Sequence, residues 1–339
     1  MELPRTARPI VVAPMAGGPT TPQLVAAGVR VGASGFLPGG YLTASELEQR
    51  ITQLRDLLGT DDRAFGVNLF VPEGDVAADR RPDQVAVEAY RAALGPGAGV
   101  PRWDDRDHYE DKIRLLTEVD PVPMVSFTFG CPAPDVVHAL HAVGSAVVVG
   151  VTDLQEATAA VDCGADALVV QGFDAGGHRC THRVAAEPNS RDALALLPEL
   201  AHLAVPKIAA GGVATAGDVR RLLAAGAVAV QVGTALLRCP EAGTSSAHRE
   251  LLATARGTRV TRAFSGRPAR GLVNDFLTSH DGQAPAVYPQ VDQVTKPLRA
   301  RASAEGDSQA ISGWAGTGWA AARELPAATV IAQLCGDED

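Results

Sequence analysis

The chain has 339 residues, 46% of them apolar, enough for one large domain or two small ones with a sizeable core. Its formal net charge is −9 and its lysines and arginines are scattered, which argues against a nucleic-acid surface. No apolar run approaches the roughly 18 residues of a membrane span, and Met1-Glu2-Leu3-Pro4-Arg5 leads into no signal-type segment, so the expectation is a cytoplasmic protein.

The segment 10–13 is apolar and runs into Ala13-Pro14-Met15-Ala16-Gly17-Gly18. Further short apolar runs follow at 35–37, 64–69, 124–127, 146–149, Ala167–Gln171, Lys207–Ala210 and Ala229–Val232. Runs of this kind read as parallel strands buried on both faces. Between them, Ala44–Leu58, Pro134–Ala142, 154–163 and 216–225 carry a helical apolar period. Two of these stretches end in Gly-Ala, at Gly164-Ala165 and Gly226-Ala227, the left-handed helix stop that precedes re-entry into a sheet. Eight β-α units in series predict a closed (β/α)8 TIM barrel of the α/β class. A doubly wound open sheet is disfavoured, since no G-x-G-x-x-G turn follows the first strand.

Two stretches depart from this alternation. Residues 71–105 are rich in Pro, Asp, Arg and Gly and predict a partly helical surface insertion after the third strand. Beyond about residue 240 the alternation fades, and between 257 and 320 only 290–304 reads clearly as helix. The expected organisation is a barrel over 1–240. Residues 241–339 then supply the last barrel helix and a segment capping the mouth, without forming an independent domain. The tail 324–334 has the pattern of a short docking helix, and acidic 337–339 is expected in solvent.

Five cysteines, with no C-x-x-C pair, disfavour a disulfide framework or a zinc site. Cys163 and Cys239 are expected to pack as small hydrophobes. Cys180 follows His178 by two residues, but nothing beside it clearly lowers its pKa. No two histidines stand at i, i+4 with an acid, so no metal site is expected.

The strand Ala167–Gln171 continues as Gln171-Gly172-Phe173-Asp174-Ala175-Gly176-Gly177-His178. Adjacent glycines Gly176 and Gly177 allow close backbone approach to a ligand, and His178 adds a group that can change charge near neutral pH. The C-terminal end of a barrel strand is where such folds keep their active sites, which makes His178 the candidate catalytic or substrate-contacting residue. His182 is expected to be exposed. Lys207–Ala210 leads into Gly211-Gly212, and Ala229–Val232 (its last residues Gln231 and Val232) into Gly233-Thr234. Loops after the seventh and eighth barrel strands often hold phosphate through backbone N–H groups and a helix N-terminus. Tight β-α turns would explain either loop alone; the three glycine turns together favour a phosphate site.

Asn68 and Gln171 lie at or near the ends of their strands and offer amides at the barrel top. An amide carries donor and acceptor together, which suits the edge of a heterocycle such as a flavin's pyrimidine. Turn chemistry for Asn68 and a buried structural amide for Gln171 are the alternatives. The backbone of Ala13, Pro14 and Met15 is placed to lie along a flat ring, or to form a structural turn.

Taken together these residues resemble the FMN-dependent nitronate monooxygenase family, also called 2-nitropropane dioxygenases, in its bacterial class I branch. The resemblance spans most of the chain. It rests on 13–18, Gly66-Val67-Asn68-Leu69-Phe70, 171–178, Gln231-Val232-Gly233-Thr234, Arg262-Ala263-Phe264-Ser265-Gly266-Arg267-Pro268-Ala269-Arg270-Gly271 and Trp314-Ala315-Gly316-Thr317-Gly318. The later segments discriminate best, because the barrel motifs recur in other flavin barrels.

The resemblance implies FMN across the barrel mouth. It implies cofactor contacts from Asn68, Gln171, Gly176, Gly212 and Gln231 to Thr234, and an active-site role for His178. It implies oxidation of an alkyl nitronate, such as propionate 3-nitronate, by O2 to a carbonyl compound and nitrite or nitrate. The expected partners are that small anion and O2, with the chain a monomer or weak homodimer. Two positions depart from the family pattern. Thr128, between two phenylalanines, stands where the family has histidine. Along the lid helix Tyr288 and Lys296 match, but Asp292 replaces a tyrosine between them. Thr128, Tyr288 and Lys296 are the candidate substrate contacts. Asp292 either repels an anionic nitronate or pairs with Lys296 and shifts specificity. Competing readings are an FMN-dependent enoyl-thioester reductase using NAD(P)H, a flavin-binding barrel of other activity, and a non-catalytic barrel that retains flavin or none as a binding module.

Overall fold

The computed structural model describes residues 1–60, 64–74 and 80–337. Eight parallel strands close into a barrel: β1 (Ile10–Val12), β2 (Ser34–Pro38), β3 (Phe65–Phe70), β4 (Met124–Thr128), β5 (Ala146–Val151), β6 (Ala167–Gln171), β8 (Lys207–Ala210) and β9 (Ala229–Val232). Closure is direct, since Val11 pairs with Ser34 on one side and with Gln231 on the other. The (β/α)8 expectation is met, with each expected strand found to within two residues. Strand β7 (Gly177–His178) stands outside the barrel.

Alternation of side chains divides the core in two. Val11, Phe36, Met124, Val148, Val169 and Ile208 point inward and fill the barrel. Their neighbours, among them Ile10, Val12, Leu37, Phe65 and Val149, point outward under the helices. Both faces are therefore apolar, which is why the strands read as continuous apolar runs. Gly66 makes room for the inner layer, since a Cβ there would sit 2.6 Å from the Phe36 ring.

The helices start on capping residues visible in the sequence. Thr43 and Glu46 form a reciprocal capping box at the start of Ala44–Leu58, and Thr215 and Asp218 do the same for Ala216–Ala224. Each such cap is worth about 1 kcal/mol.

The C-terminal third carries structure that the sequence did not announce. Strands β10 (Thr258–Thr261) and β11 (Ala269–Leu272) form an antiparallel pair, and β7 joins it with Ala269 opposite His178. Helix Gln290–Glu305 follows. Within the expected insertion, residues 75–79 lie outside the described residues. The rest includes helix Arg81–Leu94, whose Val87 and Tyr90 pack with Val287, Val291 and Val294 near or on the later helix. The two departures from the β/α repeat therefore share one apolar cluster.

The tail helix Ala327–Cys335 packs between helices Pro22–Arg30 and Ala216–Ala224. That is the place of the eighth barrel helix, reached only after the cap has been built. Asp337 is exposed, as expected, and its carboxylate meets Arg8 at 2.5 Å at the surface, while 338–339 lie outside the described residues. No helix among the described residues is long and apolar enough to cross a membrane.

Candidate active site

The C-terminal ends of the barrel strands open into a cavity of about 620 Å³, within the range of small-molecule sites. Ala13, Pro14, Met15, Asn68, Thr128, Gln171, Gly176, Gly177, His178, Gly211, Gly212, Gln231, Val232, Gly233, Thr234 and Lys296 all line it. Parallel strands deliver all their C-terminal ends to one face, so residues spread over most of the chain converge there. Tyr288 instead lines an adjoining chamber of about 700 Å³. The two chambers share Tyr41, Phe70, Asp292 and Lys296 as walls.

His178 is fixed by backbone pairing and by Gln171. The Gln171 Nε2 donates to the His178 carbonyl at 2.9 Å, and its Oε1 accepts from the Cys180 N–H at 2.9 Å. Both ends of this amide are thus spent on bracing the strand that carries the imidazole. The ring stands among Phe129, Tyr288 and Trp314, with centroids 5.4–5.9 Å away. Its Nε2 lies 2.8 Å from Ser265 Oγ. Burial pushes the imidazole pKa down to about 3, with Arg267 and Arg299 adding to the shift. His178 is neutral at neutral pH.

Arg267 is 1% exposed and has no carboxylate within ion-pair distance among the described residues. Its guanidinium carbon lies 4.0 Å from the Phe129 ring centre and 5.5 Å from that of Tyr288, and its Nη1 donates to the Thr181 carbonyl. Burial lowers its pKa to about 10, so it stays charged. Phe129 itself holds a φ of 78°, a left-handed conformation that costs a non-glycine residue about 1–3 kcal/mol. The sequence reading assigned no role to Phe129, Ser265, Arg267 or Trp314. Three of them fall in segments already noted for resemblance, but nothing in residue type alone says that they face His178.

Asp292 does not pair with Lys296. Its carboxylate meets Arg299 at 2.6 Å, and Arg299 also bonds the Asp292 carbonyl. Lys296 instead lies 5.8 Å from the Tyr41 ring centre. The spacing of 292 and 299 puts both on one helix face two turns apart, so this pairing is compatible with the sequence pattern. Thr128 Oγ1 accepts from Asn68 Nδ2 at 3.0 Å, tying β4 to β3. His182 is half-buried rather than exposed, with its backbone N–H on Glu156 and its ring near the Gly150 carbonyl. Burial pushes the Cys180 thiol up to about 12, which removes it as a reactive thiol.

The turns after β8 and β9 suit an anionic cofactor terminus. Gly211 and Gly212 hold φ of 116° and 69°. The N–H groups of Gly212, Gly233 and Thr234 have no acceptor among the described residues. Unpaired N–H groups are costly unless a ligand or water takes them, and a phosphate is such a ligand. The Thr234 Oγ1 accepts from the Gly316 N–H at 2.9 Å, which leaves its own proton to donate. Gly176 is required by the cap: a Cβ there would sit 2.4 Å from Gly316 N. Across the mouth, Asn68 spends Nδ2 on Ser126 and Thr128, leaving its carbonyl oxygen for a ring N–H. The Met15 N–H is already shared between Ala13 O and Thr20 Oγ1. The residues present fit a phosphorylated flavin: an N–H cradle at one side, an amide oxygen at the other, and the imidazole between.

The family model described as nitronate monooxygenase matches residues 4–337. A nitronate monooxygenase of Pseudomonas aeruginosa is 38% identical over 345 residues, covering 96% of this chain and 95% of that protein. Among solved structures, nitroalkane oxidase from Streptomyces ansochromogenes superposes with a TM-score of 0.90 at 41% identity, over 98% of this chain and 96% of that one. FabK from Thermotoga maritima superposes with a TM-score of 0.73 at 25% identity, over 98% and 93%.

Proposed function

The chain belongs to the nitronate monooxygenase family and is a flavin-dependent oxidoreductase, and from that premise we propose that it uses FMN and O2 to oxidise small alkyl nitronates of the propionate 3-nitronate type. A carbonyl compound with nitrite or nitrate would be the product. The observation that carries this reading is the set of unmatched N–H groups at Gly212, Gly233 and Thr234, lining the same cavity as a neutral histidine.

In this reading those N–H groups and the Thr234 hydroxyl would hold the phosphate, and the free Asn68 Oδ1 would accept a hydrogen bond from the ring system. When bound, FMN supplies the electron acceptor that no amino-acid side chain offers. The chain's own work is orientation and charge. Arg267 and Lys296 give the cavity positive potential, which favours a small anion. Asp292 opposes it, but its charge is offset at 2.6 Å by Arg299. Phe129, Trp314 and Tyr288 wall the imidazole with apolar surface and limit water there. His178 lies against this space to orient the nitro group or hold a proton.

Anaerobic mixing of the flavin-loaded protein with propionate 3-nitronate, and separately with NADPH, tests the proposal. Fast loss of flavin absorbance with the nitronate and negligible loss with NADPH is expected. The opposite pattern would replace it with a nicotinamide-dependent reductase, and a protein that takes up no FMN would end it.

A further inference from the structure

Four non-glycine residues among those described hold a left-handed backbone: Tyr41, Asp107, His108 and Phe129, with φ of 67°, 55°, 52° and 78°. All four line the two chambers at the strand ends. Asp107 and His108 line the outer one, Phe129 the inner one, and Tyr41 both. A side chain disfavours this conformation, which persists only where surrounding contacts over-determine it. At Tyr41 those contacts are present. Its N–H donates to Asp107 Oδ1 at 2.8 Å, and the other oxygen of that carboxylate accepts from Lys112 Nζ at 2.8 Å, with Lys112 only 1% exposed. Its ring meets Phe70 edge-on at 5.5 Å, and Phe70 lies 4.7 Å from Phe129. Gly40 makes room for this packing, since a Cβ there would run into the Phe70 ring.

Tyr41 is thus held in place, and it stands where the chambers meet. His178 lines the inner chamber of about 620 Å³. Tyr288, whose ring centre is 5.9 Å from the imidazole, lines the outer chamber of about 700 Å³. The Tyr41 and Tyr288 hydroxyls are neighbours, so the two rings stand together between His178 and the outer space. Beyond them, Val71, Trp103, Val287 and Pro297 give the outer chamber an apolar side.

Resting on the nitronate-oxidation reading above, we propose that Tyr41 is the specificity-determining residue that sets substrate length: its ring closes the inner chamber, admits short alkyl nitronates and excludes those whose tail would have to enter the outer chamber. Each methylene buried in apolar surroundings strengthens binding about fourfold. That gain stops where the tail meets the ring, because a longer chain must stay in water or displace a side chain fixed by Phe70 and by its own anchored backbone. With the ring removed, the tail can continue along Val71 and Trp103, and the gain resumes. Ring volume does this work, and the phenol hydroxyl has no part in it. Glycine is the suited replacement at φ 67°, since it removes the ring and the backbone cost together. Asparagine also tolerates this conformation and serves as a second small side chain if the glycine variant does not fold.

The test is calorimetric binding of straight-chain carboxylates, from butanoate to decanoate, to the FMN-loaded protein. Carboxylates are planar anions like nitronates but cannot be oxidised in their place. In the wild type, affinity should rise with length and then level off or fall. In Tyr41→Gly it should keep rising, so that the octanoate-to-butanoate affinity ratio exceeds the wild-type ratio by about tenfold or more. Tyr41→Phe, which keeps the ring, should keep the wild-type profile. Anaerobic flavin reduction by octyl nitronate relative to ethyl nitronate should follow the same order across the variants. A wild-type affinity that climbs unbroken to decanoate, wild-type profiles in both Tyr41→Gly and Tyr41→Asn, or a Tyr41→Phe profile like that of Tyr41→Gly would each overturn the inference. A loaded wild type that oxidises no nitronate would instead sink the oxidase reading, while the carboxylate profiles would still decide the role of Tyr41.

Discussion

The guanidinium of Arg267 lies 4.0 Å from the centre of the Phe129 ring, and the same ring faces His178 edge-on at 5.6 Å. A buried cation with no carboxylate within ion-pair distance among the described residues is thereby held by aromatic faces, an arrangement worth about 2 kcal/mol when desolvated. The unneutralised charge reaches the cavity through an apolar wall that screens it poorly. Phe129 keeps a left-handed backbone to place its ring there.

Replacing Arg267 by methionine, which keeps much of its bulk, should raise the His178 pKa. Removing a neighbouring positive charge removes repulsion of the imidazolium, although burial, the larger cause of the depression, remains. An NMR titration of His178 should therefore show its midpoint moving up from about 3 towards neutrality. No shift, or a downward one, would show that Arg267 does not act on the ring.

Acid should destabilise the fold through two histidines. His178 and His248 are held near 3 and 4, below the ordinary value of 6.5 for an unfolded chain, chiefly by burial. The unfolded state thus binds more protons in this window, so the stability they contribute is complete above about pH 6.5 and lost as pH falls towards 3–4. Urea midpoints measured between pH 7 and pH 4 should fall less steeply in a His248→Phe variant than in the wild type.

Gly212→Ala should weaken FMN binding while leaving the barrel folded. The residue sits at φ 69°, and its new Cβ would lie 3.0 Å from the Asp174 Cβ, so the turn must shift and carry its N–H with it. Strain of about 1 kcal/mol and a misdirected donor together predict roughly a tenfold rise in Kd. Flavin fluorescence quenching with the apoprotein measures it, and unchanged affinity would place the phosphate elsewhere.

Asp292→Asn should make the cavity more positive and leave Arg299 with weaker partners. KM for an anionic nitronate should fall several-fold at low salt, with the gain shrinking as ionic strength rises. Stability should fall by about 1–3 kcal/mol, the worth of a charge-assisted hydrogen bond, read from the denaturant midpoint. A KM that rises would mean that Asp292 contacts the substrate directly.

The barrel was legible because parallel strands buried on both faces leave continuous apolar runs, and helices between them carry their caps in the local sequence. Phe65–Phe70 and Lys207–Ala210 could be read without knowledge of the rest of the chain. The short strands β7, β10 and β11 could not. They are two to four residues long, carry arginine, glycine and histidine, and exist because Ala269 pairs with His178 from 91 positions away. The tail helix was legible as a helix, but nothing local says that it fills the gap between Pro22–Arg30 and Ala216–Ala224.

At the site the division runs through single residues. The glycine turns and His178 could be placed at the cavity from the sequence because each follows a strand, and topology sends every strand end to one face. Gln171 was found for its position, yet both ends of its amide brace the backbone at His178 and Cys180. Asp292 was noticed as a departure, but its partner is Arg299. The sequence by itself determined the barrel, its open end and the stretches that meet there, because these follow from local periodicity and chain direction. Only the tertiary structure decided how His178 is held, which protons it carries and which charges face it. Those depend on side chains such as Ser265, Arg267 and Phe129, which meet the imidazole only after the cap has folded over the barrel mouth.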